Sequence, residues 1–168
     1  MLRSARILKD KKEIAFLLVG DGVEKPKLQK LAQENQLNNV FFLPMQPKVK
    51  YPEVLSASDL CLATLRREVR TPVVPSKILS IMAAGRPILA SLPLNGDAPR
   101  LLAEAQCGMA ITPGDPEAMA QAIIQLYHDP ELREKMGQRG RRYTVEHLSL
   151  ERAAVLIENC IGRLLSSY

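Results

Sequence analysis

Residues Ile14 to Val19 form an unbroken apolar run, IAFLLV, that leaves a charged stretch and ends on Gly20-Asp21-Gly22. A strand with one wet face alternates apolar and polar residues. A run without alternation reads as a strand covered on both faces, the condition met in a parallel sheet with helices on either side. The segments that follow repeat the theme. Leu28, Leu31 and Ala32 stand at i, i+3 and i+4 and predict an amphipathic helix over 24–36. NVFFLP predicts a short strand ending at Pro44, residues 52–57 a short helix, and DLCLATL a third strand.

The loop RREVRTPVVPS leads into a helix expected to be capped by Ser76, with Ile78, Leu79 and Met82 inward and Gly85 as its stop. Pro87 opens a strand over 88–90, residues 97–106 predict a helix, and GMAIT a last short strand. Asp115-Pro116-Glu117 and Asp129-Pro130-Glu131 both read as helix starts: a capping side chain, proline at the first turn, then an early acid. A final helix over 150–165 is expected to carry Ala153, Leu156, Ile157, Ile161 and Leu164 inward, while residues 2–9 read as the end of a helix. Strands alternating with helices of this length imply βαβ units with right-handed crossovers. The expected fold is α/β, a Rossmann-like three-layer α/β/α arrangement with a mostly parallel sheet. One domain over 1–168 is expected, with 149–168 as its C-terminal helix.

Composition narrows the function classes. With 168 residues, 46% of them hydrophobic, the chain can bury one core. No apolar run approaches the roughly 20 residues that span a bilayer, and the basic, interrupted N-terminus carries no export signal, so a cytoplasmic location is expected. Cys61, Cys107 and Cys160 each sit in apolar segments and read as reduced core residues. Their spacing, with only His128 and His147 besides, gives no metal motif. A net charge of +5 favours an anionic partner. The basic residues are scattered and the aromatic content is 4% with no Trp, which argues against a nucleic-acid reader.

In an open parallel sheet ligands bind beyond the carboxyl ends of the strands. The loops after Val19, Leu43, Leu65 and Ala90 are therefore where chemistry can sit. Gly20-Asp21-Gly22 lets the backbone approach a ligand closely, and serves equally as an ordinary strand-to-helix turn. Pro75-Ser76-Lys77 opens a helix, where free amides and the helix dipole favour an anion and Lys77 adds a full charge. An N-cap serine beside a solvated lysine is the plain alternative, but the position after the third strand favours phosphate binding. Arg66, Arg67 and Arg70 share that loop. No paired carboxylates, Ser/His/Asp set or Cys/His set occurs at useful spacing, so group transfer assisted by electrostatics is expected rather than hydrolysis.

Taken together, FLLVGDG, NVFFLP, DLCLATL, VPSKILSIMAAGRPILAS, CGMAITPGDPEAMAQAI and GRRYTVEHLS resemble, in order and spacing, the C-terminal domain of GT-B glycosyltransferases of family 4. The resemblance implies a domain that binds a nucleotide-diphosphate sugar as substrate, for retaining transfer in polysaccharide or glycolipid biosynthesis, with no cofactor and no tightly bound metal. An N-terminal domain that binds the acceptor is implied as a partner. Carried over by position, Met45 and Gln46 border the base, the backbone at Val74, Pro75 and Ser76 with Lys77 faces the diphosphate and sugar, and Gly20, Asp21 and Gly22 line the cleft floor. Two departures stand out. The family's glutamate pair falls on Pro72 and Ser80, leaving Ser80 a single hydroxyl where a ribose would be held. The family's first strand and its basic loop would precede residue 1, so the domain reads as incomplete at its N-terminus.

That strand would lie centrally, so unpaired edges or a direct pairing of the first and third strands is expected, with self-association as a consequence. The chain alone is expected to be inactive as a transferase. The alternative reading is a non-catalytic fragment or nucleotide-binding module, and a sugar-nucleotide epimerase of the same fold would need catalytic acids that the sequence lacks. Arg139, Arg141 and Arg142 permit peripheral contact with an anionic membrane.

Overall fold

A computed structural model describes residues 1–69 and 74–165. Five parallel strands are set among eight α-helices among the described residues. In order they are α1 (Leu2–Ile7), β1 (Phe16–Val19), α2 (Lys25–Glu34), β2 (Val40–Leu43), a 3-10 turn at Lys48–Lys50, α3 (Tyr51–Ser56), β3 (Cys61–Thr64), α4 (Ser76–Ala83), β4 (Ile88–Ser91), α5 (Asp97–Glu104), β5 (Gly108–Ile111), α6 (Pro116–His128), α7 (Pro130–His147) and α8 (Leu150–Leu165). Arg70 and Pro72 lie outside the described residues.

The strands form two sheets. β1 pairs β2 in parallel, Phe16 opposite Val40, and β4 pairs both β3 and β5 in parallel, Ile88 opposite Cys61 and Gly108. β1 and β3 are not paired with each other: of the two expected outcomes, the edges stand open. Between them runs a groove of about 500 Å³ lined by Phe16, Leu17, Cys61 and Leu62. This explains why the apolar run of β1 is not covered on both faces as expected, for Leu17 is 47% exposed.

β4 shows why the sequence needs helices on both sides. Its four residues are all buried. Ile88 and Ala90 point into one core with Ala63 of β3, Ile78, Ile81 and Met82 of α4, and Leu102 of α5. Leu89 points the opposite way, among Ala5 of α1, Leu8 just after it, Phe16 of β1, and Met119 and Ile123 of α6. The period-2 alternation of a strand thus divides one apolar run between two cores, giving the three layers expected.

Helix punctuation follows the sequence closely at α6 and α7. The Asp115 carboxylate accepts from the Ala118 amide and Asp129 from the Leu132 amide, both at 2.8 Å. At α4 the expectation needs correction: Pro75 is the capping position and makes no side-chain bond, and Ser76 is the first helical residue. Leu79 faces outward, with Ile81 inward in its place. The largest correction is α8, which spans the expected residues but has none of them buried. Its apolar stripe meets no core because the two cores are already closed by α4 with α5 and by α1 with α6. Cys160, on α8, is exposed, while Cys61 and Cys107 are buried as expected. No helix among the described residues is long and apolar enough to cross a membrane.

Candidate functional site

Three loops meet at the carboxyl ends of β1, β2 and β3. Gly20 leaves β1 with φ +141°, a conformation that L side chains avoid, so the chain can turn at once into the loop. The Asp21 carboxylate then bridges to the loop after β2: one oxygen accepts the Met45 amide at 2.8 Å and the other accepts the Lys25 ammonium at 2.6 Å. Lys25 also donates to the Leu43 carbonyl at 3.1 Å. The Lys25 hydrogen bond, followed by that of the Met45 amide, holds the Asp21 carboxyl below the usual carboxylate range. On the other side, Arg66 after β3 pairs with Glu24 before α2 at 3.5 Å. That ion pair reaches across the groove and places the carboxyl ends of both sheets on one rim.

The α4 start stands on the same rim. Lys77 lines the groove together with Val19 and Leu17 of β1, is exposed, and makes no hydrogen bond or ion pair among the described residues. Val74 packs on the core beneath, Pro75 is half-buried, and Ser76 is exposed, so the first turn is fixed from below and open above. The Ser80 hydroxyl donates to the Ser76 carbonyl at 3.4 Å and is thereby turned back on its own helix.

The expected residues therefore divide by role. Gly20, Gly22, Met45, Gln46, Ser76 and Lys77 offer surface at the rim; Asp21 has both oxygens occupied by protein. Met45 is 63% exposed, and its methyl group lies about 4.0 Å from where a Gly20 side chain would begin. Arg66 is engaged by Glu24, and Arg67 is exposed. Lys25 was missed by sequence reasoning. Its spacing from Asp21, four residues across a helix start, is the signal that could have found it. Among the described residues no group of His, Cys, Asp and Glu could hold a metal ion.

Comparison with known proteins places the chain in a family. Residues 1–143 match the family described as Glycosyl transferases group 1. The chain belongs to that family. It is 31% identical over 126 residues to a probable glycosyltransferase, WbjE, of Pseudomonas aeruginosa, covering 75% of this chain and 31% of the relative. It is 32% identical over 138 residues to N-acetyl-alpha-D-glucosaminyl L-malate synthase of Bacillus anthracis, covering 82% of this chain and 34% of that enzyme. The solved structure of Anabaena Alr3699/HepE in complex with UDP superposes with a TM-score of 0.78 over 100% of this chain and 45% of that one, at 22% identity. This group 1 chain thus spans about a third of the curated relatives it matches, and its Rossmann-like fold is that of GT-B glycosyltransferases.

Proposed function

We propose that this group 1 chain supplies the donor site of a glycosyltransferase and binds a nucleotide-diphosphate sugar at the rim formed by Gly20, Met45, Gln46 and the start of α4. The observation that carries the reading is Lys77. It is an exposed ammonium with no partner among the described residues, beside the first-turn amides of an eight-residue helix at the carboxyl end of a parallel sheet. An anion placed there meets amide dipoles and a full positive charge together. Met45 presents a polarisable thioether suited to the face of a base, and Gln46 offers an amide to its edge.

Because sugar transfer from such a donor leaves a nucleoside diphosphate, the same cationic turn would stabilise the leaving group. The reading includes retaining transfer of the family 4 type, in polysaccharide or glycolipid assembly at the cytoplasmic side, with the acceptor held by a separate N-terminal domain. The bound UDP of HepE and the transferase names of the relatives favour this over a non-catalytic module. Titration calorimetry of UDP, ADP and GDP against the chain and its Lys77→Ala variant tests it. Loss of one charge-assisted contact predicts roughly tenfold weaker binding of the preferred diphosphate; equal affinity in both proteins would remove Lys77 from the site.

A further inference from the structure

We infer that Asp21 is a positioning residue for nucleobase discrimination: it touches no ligand itself but fixes the Met45-Gln46 segment against which a base would be read. The inference rests on the donor reading above and adds to it a residue that acts through the backbone of another loop.

Met45 and Gln46 lie beyond the last ladder bond of β2, between Pro44 and Pro47, neither of which can donate a backbone hydrogen bond. The ladder itself ends where the Gly20 amide donates to the Leu43 carbonyl at 3.2 Å. Among the described residues the Gln46 side chain bonds only to the Pro44 carbonyl, 3.1 Å away and within its own loop. Among the described residues, the Met45 amide on Asp21 is therefore the one hydrogen bond joining Met45 or Gln46 to another element. Exposed Met45 and half-buried Gln46, which must present a fixed surface, thus hang on a single carboxylate oxygen.

The second oxygen keeps that carboxylate in place. Lys25 donates to it and to the Leu43 carbonyl, so the ammonium is shared between the loop after β1 and the end of β2. Asp21, Lys25, Leu43 and Met45 form a closed ring of contacts joining the two loops. The ring also separates the roles of two lysines on the rim. Lys25 is spent on Asp21, whereas Lys77 is not engaged by any described residue, which leaves Lys77 to meet a diphosphate. The Met45 side chain folds over Gly20, so a shift of its backbone would carry the thioether off the loop after β1. A side chain at position 21 without two acceptors cannot hold both partners.

A purely structural role for Asp21 would weaken every ligand alike. A positioning role weakens only the part that reads the base. Kd values would be measured for UDP, CDP, ADP, GDP and inorganic pyrophosphate with the chain as it stands and with Asp21→Ala and Asp21→Asn. The expected result is a roughly tenfold loss for the preferred nucleotide in Asp21→Ala, from one charge-assisted hydrogen bond. The spread among the four nucleotides should narrow by a similar factor while pyrophosphate affinity stays the same. Asp21→Asn, which keeps one carbonyl oxygen for the Met45 amide, should fall between. Equal losses for all five ligands, or no loss, would overturn the inference.

Hydrogen exchange at the Met45 amide is the second measurement and needs no ligand. Exchange at least several-fold faster in Asp21→Ala supports the tie, and unchanged exchange overturns it whatever the nucleotides do. If the unaltered chain binds pyrophosphate but shows no preference among the four bases, the positioning role falls while diphosphate binding stands. If it binds none of the five, the donor reading fails and the role falls with it, even where the exchange result holds.

Discussion

Cys107 illustrates how burial changes the chemistry of a single side chain. It is fully buried between β4 and α7, and burial pushes its thiol from an ordinary 9.0 up to about 11. Cys61 is raised by the same cause, while Cys160 is exposed on α8. Only the thiolate reacts with alkylating agents. Iodoacetamide at pH 8 is therefore expected to modify Cys160 quickly and Cys61 and Cys107 only on unfolding, as peptide mass mapping can check. The same shift has a stability consequence with a definite sign. Between about pH 9 and 11 the unfolded chain releases the Cys107 proton and the folded chain retains it, so folding stability falls as pH rises through that window. Urea midpoints at pH 8 and pH 10.5 should differ more in the unaltered chain than in Cys107→Ala. The Asp21 carboxylate shows the converse: both its oxygens were visible in the sequence as part of a turn, but their partners, Lys25 nearby and Met45 across 24 residues, came from two loops meeting in space.

At the level of elements, α7 is held to the body by the absence of side chains. A Cβ at Gly137 would stand 2.1 Å from the Gly85 carbonyl oxygen, and one at Gly140 2.9 Å from the Cys107 Cβ. Arg141, one turn beyond Gly137, donates to the Ala83 carbonyl at the end of α4 and so closes that contact with a hydrogen bond. That commits to the fold one of the three arginines expected to be available to a membrane. Gly137→Ala must push α7 away from the turn that ends α4, against a backbone atom that cannot rotate away, which predicts a loss of about 2–3 kcal/mol, measurable by urea unfolding. Along the chain these two glycines carry no signal of that contact, because their nearest partners lie 33 to 52 residues away. The helix caps at Asp115 and Asp129, by contrast, were legible because a cap depends on residues three positions apart.

For the whole molecule, two apolar surfaces stand open among the described residues: the facing edges of β1 and β3, and the stripe along α8 formed by Leu156, Ile157, Ile161 and Leu164. They make different predictions. Since α8 buries none of its residues, removing 149–168 should leave the thermal midpoint within about 2 °C of the full chain, because a helix that contributes no burial contributes little to the cooperative unit. Differential scanning calorimetry reads this directly; a large fall would mean that α8 folds onto the body in solution. If self-association, measured by sedimentation, survives that truncation, the open strand edges are its source.

The sequence by itself determined the order of strands and helices, the three-layer class, the helix starts at Asp115 and Asp129, and the cationic turn at Lys77, because each depends on residues within a few positions of one another. Tertiary structure alone decided that β1 and β3 stand apart, that α8 has no core to cover, that Asp21 serves another loop, and that Lys25 is engaged while Lys77 is not. All four depend on which surfaces remain uncovered once distant segments have packed, and neither periodicity nor propensity along the chain encodes that.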